Sequence, residues 1–254
     1  MGAAPPDGHA SFGAGVRAWV LVVFMYLLMP IWGLVFLIPS ILSYRCTLWT
    51  MKTYVKIVFF ALRHLCGTRC ELRGTLPQGP CIVASKHQSF LDVMMLMLWL
   101  PHPRFVMKRS IMYAPVLGIY AMRLGCVPID RSRGGEAVRS MMEGVAQKQG
   151  RHGQIIIFPQ GTRVAPGVRQ RYKSGVVRLY EGFKLPIELG ATNTGWFWPR
   201  TGTRRSKGTA VLEFFDTIPE GRGTGGLLAE IEEKIESASD ALASEAAAGF
   251  GHDR

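Results

Sequence analysis

The sequence predicts an α/β protein in which a mostly parallel mixed sheet is flanked by helices and preceded by an N-terminal two-helix membrane motif. Three observations support this prediction. Residues 18–44 carry no charged side chain. Behind them, short apolar runs alternate with helical segments, which is typical of βαβ units. The net charge is +12 although the mean hydropathy is positive, at +0.15. That combination is typical of a protein at an anionic membrane surface.

The charge is distributed unevenly along the chain. Residues 1–150 have a net charge of +10 and residues 151–208 one of +9, whereas the remaining residues have −7. Basic side chains surround a turn near Arg163 that contains glycine and proline, which favours an anion-binding site over an ordinary solvated face. We expect no nucleic acid as a partner, because the chain lacks a recognisable binding motif and such a protein has no need of an apolar N-terminus.

The N-terminal segment has the composition of a membrane-associated region. Residues 18–44 form a run of 27 residues without charge, longer than the ~20 needed to cross the hydrocarbon core. Pro30 and Pro39 interrupt this run. In residues 48–66, apolar side chains recur at helical spacing between basic ones, as in a helix lying in the membrane interface. Three arrangements fit: a spanning helix followed by an interfacial one, a hairpin dipping into one leaflet, or two helices packed on the protein core.

The rest of the chain predicts strands that alternate with helices. The predicted strands are residues 81–85, 104–107, 126–129, 154–158, 185–189 and 210–215. The predicted helices are residues 89–100, 115–124, 136–149, 174–183 and 227–247. Ligands of parallel sheets bind beyond the carboxyl ends of the strands. The residues that follow each strand are therefore the candidates for chemistry.

A histidine and an aspartate follow the first predicted strand. Ser89 is a natural N-cap, and Asp92 lies three residues later, where a capping box has its carboxylate. The same spacing lets Asp92 accept a hydrogen bond from Nδ1 of His87, which leaves Nε2 as a base for a hydroxyl. No G-x-S-x-G motif or candidate nucleophilic serine accompanies the pair, so direct transfer is favoured over a covalent intermediate.

Three sequence blocks occur in order behind the apolar N-terminal segment. They are His87-x4-Asp92, Gly125-x3-Ile129-Asp130-Arg131 and Phe158-Pro159-Gln160-Gly161-Thr162-Arg163. In order and spacing they resemble the blocks of the PlsC-type glycerolipid acyltransferases. The resemblance implies a mixed sheet with helices behind a two-helix membrane motif. It also implies transfer of an acyl chain from acyl-CoA or acyl-carrier protein to a lysophospholipid hydroxyl, with lysophosphatidic acid as the first candidate acceptor.

The resemblance further implies roles for individual residues. His87 would be the general base and Asp92 would orient it. Substrate binding would fall to Lys108, Arg131, Gln160, Gly161, Thr162 and Arg163. Among these, the basic side chains would hold the acceptor phosphate and its polar surroundings, and the glycine would allow a close backbone approach. The reaction implied needs no metal and no cofactor besides the acyl donor.

Four positions depart from the family pattern. The family usually has Asn before the histidine and Glu in the third block, where this chain has Lys86 and Gln160. Glu188 and Leu189 stand where the family has an apolar residue and a proline. We expect Glu188 to pair with an arginine or to mark a shifted acyl pocket. The missing carboxylate at position 160 keeps other acceptors open, such as a lyso-ornithine lipid. A non-catalytic membrane lipid-binding protein is the alternative of another class, and the intact His87 and Asp92 argue against it.

The chain is expected to comprise four segments. Residues 1–17 are a flexible N-terminus and residues 18–66 the membrane-associated helices. Residues 67–247 are the catalytic domain, and residues 248–254 are a flexible tail. The expected partners are the lipid bilayer, the lysophospholipid and the acyl donor. The expected location is the inner membrane, with the catalytic domain on its cytoplasmic face.

Overall fold

Helices and strands alternate through most of the chain in the computed structural model, which describes residues 12–130, 134–147 and 153–251. The helices are α1 (Phe12–Val35), α2 (Leu37–Leu42), α3 (Tyr44–Cys66), α4 (Phe90–Trp99), α5 (Leu117–Leu124), α6 (Gly135–Ala146), α7 (Gly175–Phe183), α8 (Thr194–Phe197) and α9 (Leu227–Gly251). The strands are β1 (Thr68–Gly74), β2 (Cys81–Ser85), β3 (Pro103–Lys108), β4 (Val127–Ile129), β5 (Gln154–Ile157), β6 (Ile187–Thr192) and β7 (Gly208–Ile218).

These strands form one sheet in the order β1-β7-β6-β2-β5-β3-β4. Neighbouring strands run parallel except β6 and β7, which are antiparallel. The prediction of a mostly parallel mixed sheet is therefore confirmed. The central strands β2 and β5 are buried along their whole length, as expected for short apolar strands covered on both faces.

Strand β1 was not predicted from the sequence. It alternates apolar residues with Arg69, Glu71 and Arg73, so it contains no apolar run. The structure places it at the edge of the sheet, where it pairs in parallel with β7 and stays half-exposed. An edge strand tolerates charged side chains because one of its sides has no neighbouring strand.

Side chains of the sheet alternate between two apolar cores. In β2, Val83 belongs to the core that α3, α4 and α5 cover, whereas Ile82 and Ala84 belong to the core under α6, α7 and the first turns of α9. This alternation is the two-residue period of a strand. A segment that continues β2 can therefore present neighbouring side chains to opposite faces of the sheet.

Within residues 12–66 the structure has α1, the short α2 and α3, where two helices were predicted. Helix α1 has an apolar window of mean hydropathy 2.2, only 22% of which is buried, and its length and composition allow it to cross a membrane. Pro30 lies inside α1 without ending it. The Oη atom of Tyr120 on α5 donates to the carbonyl oxygen of Gly33 at 2.9 Å, so the end of α1 is attached to the domain behind it. The apolar helix is consistent with membrane association.

Candidate active site

The turn between β2 and α4 carries His87. The Oγ atom of Ser89 accepts a hydrogen bond from the backbone N–H of Leu91 at 3.0 Å and so caps α4. The Oδ2 atom of Asp92 accepts from the backbone N–H groups of Gln88 and Ser89, each at 2.8 Å, which completes a capping box. The backbone of the turn thereby fixes this carboxylate.

The other oxygen of Asp92 holds the histidine. Oδ1 lies 2.9 Å from Nδ1 of His87, and the aspartate side chain is fully buried while that of His87 is 12% exposed. Thr194 of α8 adds a hydrogen bond from its Oγ1 to Oδ2 at 3.3 Å. Asp92 thus completes the capping box through Oδ2 and contacts His87 through Oδ1, the two roles that its spacing in the sequence allows. When Nδ1–H is donated to the carboxylate, Nε2 of the neutral ring carries no proton and can accept one.

The third sequence block lies directly against the histidine. The ring of Phe158, just after β5, stacks on the imidazole with 3.9 Å between centroids and 15° between planes. The backbone N–H of Val164 donates to the carbonyl oxygen of His87 at 2.8 Å. The block therefore covers one face of the ring, and the residue that follows the block fixes the backbone that carries it.

Gly161 makes the turn in this block possible. Its φ of 72° lies in the left-handed region that glycine adopts without a steric penalty. A Cβ at this position would lie 3.0 Å from Nζ of Lys173, so a side chain here would also displace that lysine. Beyond the turn, Thr162 and Arg163 line the cavity beside the histidine.

This cavity has a volume of about 390 Å³. Helices α1, α3, α4 and α5 and strand β3 supply most of its walls, largely with methionine, valine and aromatic side chains. Its polar lining includes His87, Lys108, Thr162 and Arg163. The imidazole therefore lies where an apolar interior meets cationic side chains. Such a cavity suits a molecule with an apolar chain and an anionic head.

The structure places the predicted binding residues in three different situations. Lys108, at the end of β3, is exposed, and Arg163 is partly exposed with its Nη1 3.4 Å from the carbonyl oxygen of Arg200. Gln160 is 1% exposed and lies behind the turn. Arg131 lies outside the described residues. The binding roles of all these residues stay predictions.

A buried carboxylate behind the turn was not predicted. Glu236 of α9 is 2% exposed. Its Oε1 accepts hydrogen bonds from Nζ of Lys86 (2.5 Å), Oη of Tyr172 (3.0 Å) and Nε2 of Gln160 (3.3 Å). Burial lowers the pKa of Lys86 against the opposing effect of Glu236, and burial raises the pKa of Tyr172. The sequence contained a signal for this buried carboxylate, because Glu236 directly follows Ile235 and lies with it on the buried face of α9.

The expectation that Glu188 pairs with an arginine is wrong. In the described part of the chain its Oε2 accepts a hydrogen bond from Oγ1 of Thr217 at 2.7 Å, so its partner is a hydroxyl and not an arginine. The side chain lies on β6 opposite the antiparallel strand β7. It is not among the residues that line the cavity. Its charge therefore has no direct part in shaping that cavity.

The fold and the site together indicate a class of protein, an enzyme that activates a hydroxyl group. A histidine oriented by a carboxylate, at the carboxyl edge of an α/β sheet, can remove a proton from a hydroxyl group. The adjoining cavity, with its apolar walls and cationic side chains, suits an amphiphilic molecule. Among the described residues, no group of three or more His, Cys, Asp or Glu side chains could hold a metal ion.

Comparisons with known proteins agree with this class. The family model described as Acyltransferase matches residues 68–188. The 1-acyl-sn-glycerol-3-phosphate acyltransferase of Pseudomonas aeruginosa is 28% identical over 227 residues, which cover 86% of this chain and 88% of that protein. The human 1-acyl-sn-glycerol-3-phosphate acyltransferase alpha is 31% identical over 137 residues, which cover 52% of this chain and 48% of that protein. The crystal structure of the 1-acyl-sn-glycerophosphate (LPA) acyltransferase PlsC from Thermotoga maritima has the same fold. Its TM-score is 0.73 at 19% identity, over 90% of this chain and 97% of that one.

Residues 68–188 match the acyltransferase family model, and the prediction that the chain is an acyltransferase is confirmed. The matched stretch begins at the first residue of β1 and ends within β6. It contains the turn that carries His87 and the third sequence block. Helix α9 and its Glu236 lie beyond it.

Proposed function

We propose that this acyltransferase moves an acyl chain from acyl-CoA or acyl-carrier protein to the free hydroxyl of a lysophospholipid. The acceptor we propose is lysophosphatidic acid and the product phosphatidic acid, because the relatives are named for 1-acyl-sn-glycerol-3-phosphate. The observation that carries the proposal is the hydrogen-bonded pair of His87 and Asp92 beside a largely apolar cavity that His87, Lys108 and Arg163 help to line.

In the proposed reaction, Nε2 of His87 removes the proton of the acceptor hydroxyl while the hydroxyl oxygen attacks the thioester carbonyl carbon. The tetrahedral intermediate then collapses, and the carbon–sulfur bond breaks. The imidazolium returns its proton to the departing thiolate, so the products are an ester and a free thiol. Asp92 stabilises the imidazolium through Nδ1. The proton transfers are thus complete without a metal or a cofactor besides the acyl donor.

The proposed substrate position follows the polarity of the cavity. Apolar walls receive an acyl chain, and the phosphate of the acceptor lies at the mouth near Lys108 and Arg163. A phosphomonoester carries nearly two negative charges, which guanidinium and ammonium groups bind well. Arg131 is proposed as a further ligand of the polar acceptor, and Thr162 and Gly161 as the turn that borders it.

We propose that the chain acts at the inner membrane with its catalytic domain on the cytoplasmic face. Residues 18–66 would hold the domain there, and α1 is the segment with the length and composition to span the bilayer. Met29, Trp32 and Gly33 of α1 line the cavity. A lysolipid could therefore reach the histidine without leaving the membrane.

The test is thiol release by the full-length protein in detergent. Acyl-CoA and acyl-carrier protein serve as donors, each with a panel of lysophospholipids and lyso-ornithine lipid as acceptors. We expect release with lysophosphatidic acid, its loss in His87→Ala, and normal release in the control His64→Ala, an exposed histidine of α3. Absence of release with every acceptor would contradict the proposed activity. Preference for an acceptor without phosphate would contradict the proposed acceptor alone.

A further inference from the structure

The two departures from the family pattern nearest the base meet at one carboxylate. Lys86 replaces the usual asparagine before His87, and Gln160 replaces the usual glutamate of the third block. Both side chains donate hydrogen bonds to Oε1 of Glu236. These positions are far apart in sequence, yet the fold brings their side chains to one point on the side of the sheet that α9 covers.

We propose that Glu236 supplies from α9 the carboxylate that the family pattern has at position 160, and that Glu236 and Lys86 together position the turn that carries the base. The inference rests on the proposed function, since the turn matters for activity only if His87 is the base. Glu236 is buried and lies behind the cavity, so it is a positioning residue that acts through Lys86 and Gln160.

Charge balance connects the three residues. Lys86 is 2% exposed, and a buried ammonium group without an anion is strongly unfavourable. A glutamate at position 160 would provide that anion, but glutamine does not. Glu236, also 2% exposed, provides it instead. The carboxylate that balances Lys86 therefore lies on α9, within hydrogen-bond distance of the side chain at position 160.

The contacts show how this point reaches the base. Lys86 directly precedes His87, and its backbone N–H donates to the carbonyl oxygen of Gly190 on β6 at 2.9 Å. Gln160 directly precedes Gly161, and its carbonyl oxygen accepts from Nε2 of Gln170 at 3.2 Å. Since neighbouring side chains of an extended segment point in opposite directions, Lys86 reaches α9 while His87 faces the cavity. Glu236 is thus hydrogen-bonded both to the segment that carries His87 and to the third sequence block, whose Phe158 stacks on the imidazole.

The orientation of Gln160 is set by the same carboxylate. Its Nε2 faces Glu236, while its Oε1 is buried without a hydrogen-bond partner among the described residues. The opposite orientation would place two acceptor oxygens against each other. In Gln160→Glu alone, a second carboxylate would face Glu236 with one lysine between them. In the exchange variant Gln160→Glu/Glu236→Gln, the single negative charge returns to the turn.

The experiment compares Glu236→Gln, Gln160→Glu, the exchange variant and a control. The control is Glu233→Gln, an exposed glutamate of the same helix. Thiol release gives kcat and KM at a temperature at which each protein is folded, and thermal unfolding gives a midpoint without any substrate. We expect each single variant to lose kcat by roughly 10- to 100-fold with little change in KM, since small displacements of a base have effects of this size. The exchange should recover most of the lost kcat and of the midpoint, and the control should match the wild type.

Two results would overturn the inference. One is an unchanged kcat in folded Glu236→Gln, even if its midpoint falls, because the pair would then be structural only. The other is an exchange variant that is no better than the single variants or does not fold, since it keeps the number of charges. If Glu236→Gln itself does not fold, the exchange variant decides alone by the same criteria. An inactive wild type would contradict the proposed function. The unfolding midpoints would then still test whether Glu236 supplies the carboxylate of position 160. If the midpoint loss of the exchange variant equals the sum of the losses of the two single variants, the inference is refuted.

Discussion

The imidazole of His87 lies nearly flat against the ring of Phe158, with 3.9 Å between their centroids. The two residues follow β2 and β5, which are neighbours in the sheet but separated by several elements in the chain. Asp92 holds the edge of the imidazole, and Phe158 covers one of its faces. The ring therefore has few positions open to it other than the one in which Nε2 faces the cavity.

Replacing Phe158 with leucine should loosen this arrangement. Stacked aromatic pairs contribute about 0.5–1.5 kcal/mol beyond buried area, which corresponds to a loss in kcat of up to about 10-fold if the ring position is affected. Steady-state thiol release measures the loss. Phe183→Leu on α7, away from the cavity, is the control for a lost aromatic ring. A wild-type kcat in folded Phe158→Leu would show that the stacking does not position the base.

Asp92→Asn should reduce kcat more severely, by about 10³- to 10⁴-fold, as the loss of a carboxylate beside a catalytic histidine does elsewhere. Asparagine has one oxygen, so it cannot both accept from the backbone N–H groups of Gln88 and Ser89 and from Nδ1–H of His87. Kinetics and thermal unfolding of the same preparation measure both effects. Ser89→Ala, which removes only a cap worth about 1 kcal/mol, should lower the midpoint with a much smaller loss in kcat. Equal losses in the two variants would contradict the orienting role.

Arg163→Gln tests the phosphate position at the mouth of the cavity. Hydrogen bonds to a charged group contribute roughly 1.5–3 kcal/mol, so the KM for lysophosphatidic acid should rise about 10- to 100-fold. The KM for the acyl donor should change little. The control Arg178→Gln removes an exposed arginine of α7 that pairs with Glu181, and it should leave both constants unchanged. A rise confined to the donor KM would place Arg163 on the donor instead.

The ion pair between Arg73 of β1 and Glu245 of α9 should give a small pH-dependent stabilisation. Two hydrogen bonds from the guanidinium, each 2.7 Å, hold the pKa of Glu245 below its ordinary value of 4.5. The ionised carboxylate thus favours the folded state above pH 4.5, and this contribution is lost as the pH falls through the folded-state pKa. Because the glutamate side chain is 55% exposed, the contribution should stay below about 1 kcal/mol.

Thermal unfolding of wild type and Glu245→Gln between pH 7 and pH 3 measures this contribution. The wild type should have the higher midpoint at pH 7, and the difference should close as the pH falls. A difference that does not depend on pH would mean that the hydrogen bonds matter through packing and not through charge.

The sequence predicts the centre of the sheet better than its edges. The strands β2 and β5 are mostly apolar and buried along their whole length, and that pattern is local to each strand. The same pattern does not identify strand β1, because β1 alternates charged and apolar side chains. Its place in the sheet depends on pairing with β7, which is far along the chain. The contact between His87 and Asp92 is also local, since the turn and the helix cap determine it within six residues.

Glu236 shows what local patterns cannot supply. Several glutamates lie on α9, and only the position of the helix against the sheet selects the one that meets Lys86, 150 residues earlier in the chain. The stacking of Phe158 on His87 is of the same kind, because it requires that β2 and β5 be neighbours. The sequence thus predicts contacts within a local turn, such as that between His87 and Asp92, whereas the order of the strands determines contacts between distant segments.

Helix α1 is both the segment exposed to the surroundings and a wall of the cavity, through Met29, Trp32 and Gly33. Deleting this helix would remove the exposed apolar segment together with that wall. Here the deletion would leave the cavity open along one side, and the surrounding detergent or lipid would take the place of the missing wall. Removal of α1 is therefore expected to change which acyl-chain lengths the enzyme accepts, even though His87 remains intact.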